Sequence, residues 1–109
     1  MAYDEGLAER IRGVLSESTD FAEKKMFGGL AFMVRGNMCL GVLGETVMAR
    51  VGKARYAQML SRQFVREMDF TGKPMTGYVF VDPEGVAEDS DLIELVDLCL
   101  EFNESLPPK

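Results

Sequence analysis

The chain contains no histidine and only two cysteines among its 109 residues. Without histidine there is no Ser-His-Asp or Cys-His catalysis, no histidine-ligated metal, and no side chain whose ordinary pKa lies near neutrality. Cys39 and Cys99 stand in apolar surroundings and do not form a Cys-x-x-Cys pair. Such thiols behave as small hydrophobes, so buried free cysteines are expected rather than a disulfide. No apolar run approaches the ~20 residues of a membrane span. The opening MAYDEGLAER is acidic and polar, unlike a signal peptide. A cytoplasmic protein is the expectation.

Positive charge is scarce toward the C-terminal end. Residues 1–81 carry a net charge of +2, residues 82–109 one of −8, and the whole chain −6. The acidic third repels phosphate, so nucleic acid could be held only by a local basic patch. With 47% hydrophobic and 28% charged residues, the composition is that of an ordinary globular protein. The length indicates a single domain over residues 1–109 that folds without disulfide or metal.

Periodicity predicts an α+β order. Leu7, Ile11, Val14 and Leu15 form a helical stripe over Asp4–Ser16, with Asp4 as its N-cap. The stretch KKMFGGLAFMVRGNMCLGVL (24–43) then supplies two apolar runs, Leu30–Val34 and Met38–Leu43, around Arg35-Gly36-Asn37. Gly36-Asn37 suits positive φ and hence a tight hairpin, and Gly44-Glu45 marks a second one leading to Val47–Val51. With two-residue turns, one face would hold Ala31, Met33, Met38, Leu40, Val42, Val47, Ala49 and Val51. The other would hold Leu30, Phe32, Val34, Cys39, Gly41, Leu43, Met48 and Arg50. Both faces are apolar, and a sheet apolar on both sides must be covered on both.

Further along, Lys53–Gln63 reads as a helix that turns Tyr56, Met59, Leu60 and the Gln63-Phe64 step inward. Arg66–Pro74 reads as irregular, Gly77–Val81 as a strand, and Asp82-Pro83-Glu84-Gly85 as a turn. The last helix spans Asp91–Asn103, with Asp91 and Glu94 as a capping box or Ser90 as the cap instead. Its apolar side is Leu92, Leu95, Val96, Cys99 and Phe102; its acidic side is Glu94, Asp97, Glu101 and Glu104.

Candidate chemistry is sparse. Gly28-Gly29 lacks the spacing of a P-loop or a dinucleotide fingerprint, so a strand entry is favoured over a phosphate cradle. The carboxylates from Asp82 to Asp91 place their glycine, Gly85, fourth rather than sixth, unlike a calcium loop. A turn before an acidic helix N-terminus explains them better. Neither a cofactor nor a metal is expected. Arg50, Lys53, Arg55 and Lys73 are the candidate nucleic-acid contacts, and Asp69, Asp82 and Tyr78 the candidates for a small-molecule or catalytic pocket.

Lys24-Lys25-Met26-Phe27-Gly28-Gly29-Leu30-Ala31-Phe32-Met33, with Gly36-Asn37-Met38 after it, resembles the TfoX N-terminal domain family. Met48–Gly52, Met68–Met75 and Gly77–Asp82 agree in order and spacing. The resemblance implies a two-layer α+β fold of the secretion-chaperone-like kind, with an antiparallel sheet and helices before, between and after its strands. It also implies kinship with regulators of natural competence, which act with a transcription activator, and it brings no catalytic residues. Those regulators carry a second, helical domain, which these 109 residues do not include. The expected function is therefore a non-enzymatic regulatory module that binds protein and self-associates as a homodimer. The expected interface is Leu30, Phe32, Val34, Leu43 and Met48; a nucleic-acid-binding domain or a small-molecule-binding domain is the alternative.

Overall fold

The computed structural model describes residues 3–26, 28–69, 72 and 74–109. Helix α1 (Glu5–Ser16) begins where the Asp4 carboxylate accepts hydrogen bonds from the backbone N–H of Gly6 (2.8 Å) and Leu7 (3.2 Å), the expected cap. Four strands follow: β1 (Ala22–Met26), β2 (Gly29–Val34), β3 (Asn37–Leu43) and β4 (Thr46–Arg50). Then come α2 (Lys53–Leu60), β5 (Val65–Glu67), β6 (Tyr78–Val81), a short 3₁₀ turn (Pro83–Val86) and α3 (Asp89–Glu104). The six strands make one antiparallel sheet in the order β1-β2-β3-β4-β6-β5. The fold is the expected α+β arrangement.

All three helices contribute to a single core with one side of the sheet. Ile11 and Leu15 of α1, Met59 of α2 and Leu92, Val96 and Cys99 of α3 meet Phe32, Leu40, Val42, Val47 and Val79 there, all nearly or wholly buried. Burying a side chain of this size stabilises a fold by about 1.5–3 kcal/mol. The core closes on a polar end. The Asn103 amide donates to the Val34 carbonyl (3.1 Å), Arg35 donates to Asn103 (2.7 Å to its carbonyl), and the Asn37 amide donates to the Pro107 carbonyl (2.9 Å). These bonds tie the residues after α3 to the β2–β3 hairpin.

Three local expectations change. The hairpin turn is Arg35-Gly36, at φ 53° and 82°, and Asn37 is the first residue of β3 rather than part of the turn. Helix α2 ends at Leu60, so Phe64 does not turn inward: it is 44% exposed, at φ 66°. Helix α3 starts two residues early, at Asp89, and its N-cap Glu88 makes no side-chain capping bond. Strands β1 and β5 were not expected at all. Gly28-Gly29 does open a strand, since a Cβ at Gly29 would collide with the Val42 carbonyl of β3.

The largest correction concerns register. Leu30 pairs with Val42 and Phe32 with Leu40, but Met33 pairs with Met38, so Cys39 is an extra residue at a β-bulge. Beyond the bulge every side chain of β3 and β4 changes side relative to β2. Leu40, Val42, Val47 and Ala49 therefore join Leu30, Phe32 and Val34 under the helices, instead of opposing them.

Candidate functional site: the methionine-lined face of the sheet

Residues directly opposite across an antiparallel pair share a face, so the observed register also defines the second side of the sheet. It carries Met26 of β1, Ala31 and Met33 of β2, Met38 and Leu43 of β3, Met48 of β4, and Tyr78 and Phe80 of β6. Met68 and Met75 complete the cluster, joined where the Met75 N–H donates to the Met68 carbonyl (3.1 Å). Met68, just after β5, and Met75, shortly before β6, thus lie on this side. Among the described residues, no helix residue belongs to the cluster. Ala31, Met38, Met48, Met68 and Phe80 are buried, while Met26, Met33, Leu43, Met75 and Tyr78 keep part of their surface in solvent. Six of the eight methionines lie here.

Polar side chains edge this face. Lys24 stands opposite Ala31, Arg50 opposite Tyr78 and Arg66 opposite Phe80. The Arg66 guanidinium lies 5.1 Å from the Phe80 ring centre, and its Nη2 (2.8 Å) and Nε (3.0 Å) both donate to Asp82 Oδ1. The Arg50 guanidinium lies 5.3 Å from the Tyr78 ring and 5.5 Å from that of Phe102. Each arrangement fixes a long cationic side chain against an aromatic face.

The expected interface is divided by the bulge. Leu30, Phe32 and Val34 are buried in the helix-covered core and present no surface, whereas Leu43 and Met48 lie on the methionine side. Met26, Met33, Met38, Met68, Met75 and Phe80 also belong to this side and stand outside the expected interface. Their signal was the crowding of methionine between residues 26 and 75, which no periodicity argument weighed.

The candidate nucleic-acid residues do not form one open basic surface. Arg50 is held between two rings, and Arg55 pairs with Glu101 of α3 (2.5 Å). Lys53 is exposed at the first position of α2, and Lys73 lies outside the described residues. Arg62 pairs in turn with Glu94 (2.9 Å). Two of the four carboxylates in the acidic stripe of α3 therefore face Arg55 of α2 and Arg62 just after it. Of the candidate pocket residues, Asp82 is engaged by Arg66, Tyr78 lies under Arg50, and Asp69 is exposed.

Both cysteines are buried free thiols. Burial pushes the Cys39 thiol up to about 12 and the Cys99 thiol well above its ordinary range, so both stay neutral at pH 7. At the opposite edge, Arg12 donates to Glu23 (2.5 and 2.9 Å) and holds that carboxyl below the usual carboxylate range. Among the described residues, no three His, Cys, Asp or Glu side chains are placed to hold a metal ion, and no helix is long and apolar enough to cross a membrane.

The family model described as the TfoX N-terminal domain matches residues 14–103. That span takes in every strand, α2 and nearly all of α3. The chain belongs to the TfoX N-terminal domain family. Comparison with curated proteins and with solved structures finds no significant match. In this TfoX N-terminal domain two glycines have clear local duties: Gly28 (φ 77°) turns the chain into β2, and Gly36 (φ 82°) closes the hairpin. Membership points to a regulatory, competence-related role.

Proposed function

We propose that this chain is a non-enzymatic regulatory module that acts by binding protein, and that the methionine-lined face is where it binds. One observation carries this reading: an apolar sheet face with no helix over it, whose outer residues Met26, Met33, Leu43, Met75 and Tyr78 remain partly exposed. An exposed contiguous apolar surface marks an interaction site more often than a bare sheet. Methionine suits that task, because its unbranched thioether side chain adapts to the shape it meets. Family membership supports a regulatory role, with a transcription regulator as one class of partner.

A second copy of the chain is the first partner to test. Sedimentation of the wild type at micromolar concentration is expected to show a dimer, and Met33→Glu a monomer of unchanged circular dichroism. A wild type that stays strictly monomeric, with Met33→Glu neither more soluble nor different in any binding assay, removes the proposed role of this face.

A further inference from the structure

On the helix side, α2, the entry to β5, the 3₁₀ turn and the start of α3 enclose a cleft of about 260 Å³. Met59, Val81 and Leu95, all almost entirely buried, supply the apolar part of its lining. One wall is Phe64, whose backbone sits at φ 66°. A bulky side chain in the left-handed region is rare, because its Cβ crowds the following carbonyl. The Asp82 N–H donates to the Phe64 carbonyl (2.8 Å), and Gly85 packs so closely that a Cβ there would stand 3.3 Å from that of Phe64. The neighbouring chain thus holds an aromatic residue at a position glycine would fill without strain, and leaves it 44% exposed.

The rim is acidic. Glu94 is paired with Arg62, whereas Glu84 and Asp91 have no ion-pair or side-chain hydrogen-bond partner among the described residues. Apolar lining side chains, an exposed ring and two uncommitted carboxylates match a basic side chain. Its aliphatic stem lies on apolar surface, its head reaches carboxylate, and a ring face attracts the charge. We propose that this cleft is a docking pocket for an arginine or lysine side chain presented by a partner protein. The proposal rests on the chain being a protein-binding module, but it uses a different surface from the methionine-lined face.

The test is an NMR titration with the capped peptide Ac-Ala-Arg-Ala-amide, its Gln counterpart, and free guanidinium. The expected result is millimolar binding of the Arg peptide, with shifts centred on Phe64, Gly85 and Leu95 and little response to the Gln peptide. The Glu84→Gln/Asp91→Asn double variant is expected to bind about tenfold more weakly, as loss of charge-assisted contacts requires. Phe64→Gly, which relieves the backbone, is expected to fold at least as well and to lose the binding. Met33→Glu is expected to leave this titration unchanged, which separates it from the role of the other face. Equal shifts with the Gln peptide, no binding of the Arg peptide, or full binding by Phe64→Gly each overturn the proposal. Free guanidinium binding as tightly as the Arg peptide overturns the protein-side-chain assignment in favour of a small cation.

Discussion

The two sides of the sheet are built from different side chains. Among the described residues, the helix-covered side contributes to a core of 21 buried residues dominated by Leu, Val and Ile, with Met59 its one methionine. On the other side, Met38, Met48 and Met68 are three of the five buried residues among those described, and Met26, Met33 and Met75 flank them. Branched side chains have few rotamers and lock one packing arrangement, which suits a face sealed permanently by helices. Methionine has three rotatable bonds and fills irregular space, which suits a face whose cover can change. The contrast teaches that burial alone does not define a core. What differs is how firmly each side chain specifies its neighbours.

The contrast can be broken at its rigid side first. Phe32 is completely buried and meets Phe21 edge-on at 5.8 Å, so Phe32→Ala is expected to cost about 3–5 kcal/mol in urea unfolding. On the methionine side, Met38→Leu and Met48→Leu conserve volume and are each expected to cost less than about 1.5 kcal/mol by the same measurement. A loss as large as that of Phe32→Ala would show that the methionines are fitted as closely as the helix-covered core.

The thiols probe the same asymmetry chemically. Cys39 and Cys99 are neutral and sealed under the helices, so neither is expected to react with a thiol reagent until the fold opens in denaturant. Their raised values make folding favourable below the ordinary thiol range, and that contribution declines only as pH rises above it. Rapid labelling of the native protein would show that the helix layer lifts easily.

The smallest effect belongs to the half-exposed edge. Glu23 is held below its ordinary value by Arg12, so its contribution is present at neutral pH and is lost as pH falls through the folded value. The melting temperature of Glu23→Gln is expected to lie slightly below that of the wild type at pH 7 and to converge with it in acid. An unchanged gap at low pH would mean that the pair does not act through charge.

Local chemistry was readable wherever it acted over a few residues. Asp4 capping α1, the Gly44-Glu45 turn, the Tyr78–Val81 strand and the apolar side of α3 all follow from neighbours in the chain. Strand β1, Ala22–Met26, was not visible because four of its five residues are exposed and it is an edge strand whose lysines resemble a loop. Strand β5 has only three residues and takes its definition from pairing with β6. The pairing of Arg55 and Arg62 with the acidic stripe joins residues 46 and 32 positions apart, beyond any local rule.

By itself the sequence determined an α+β domain, its family, the positions of its main helices and hairpins, and the presence of apolar residues on both sides of the sheet. Those properties depend on spacing, turn geometry and capping, which act between near neighbours. Only the tertiary structure decided which residues share a side. One unpaired residue at Cys39 reverses the alternation for all of β3 and β4 that follows, so Leu30, Phe32 and Val34 enter the sealed core and the methionines gather opposite. A bulge is set by how the whole sheet twists beneath its helices, and a period of two carries no record of it.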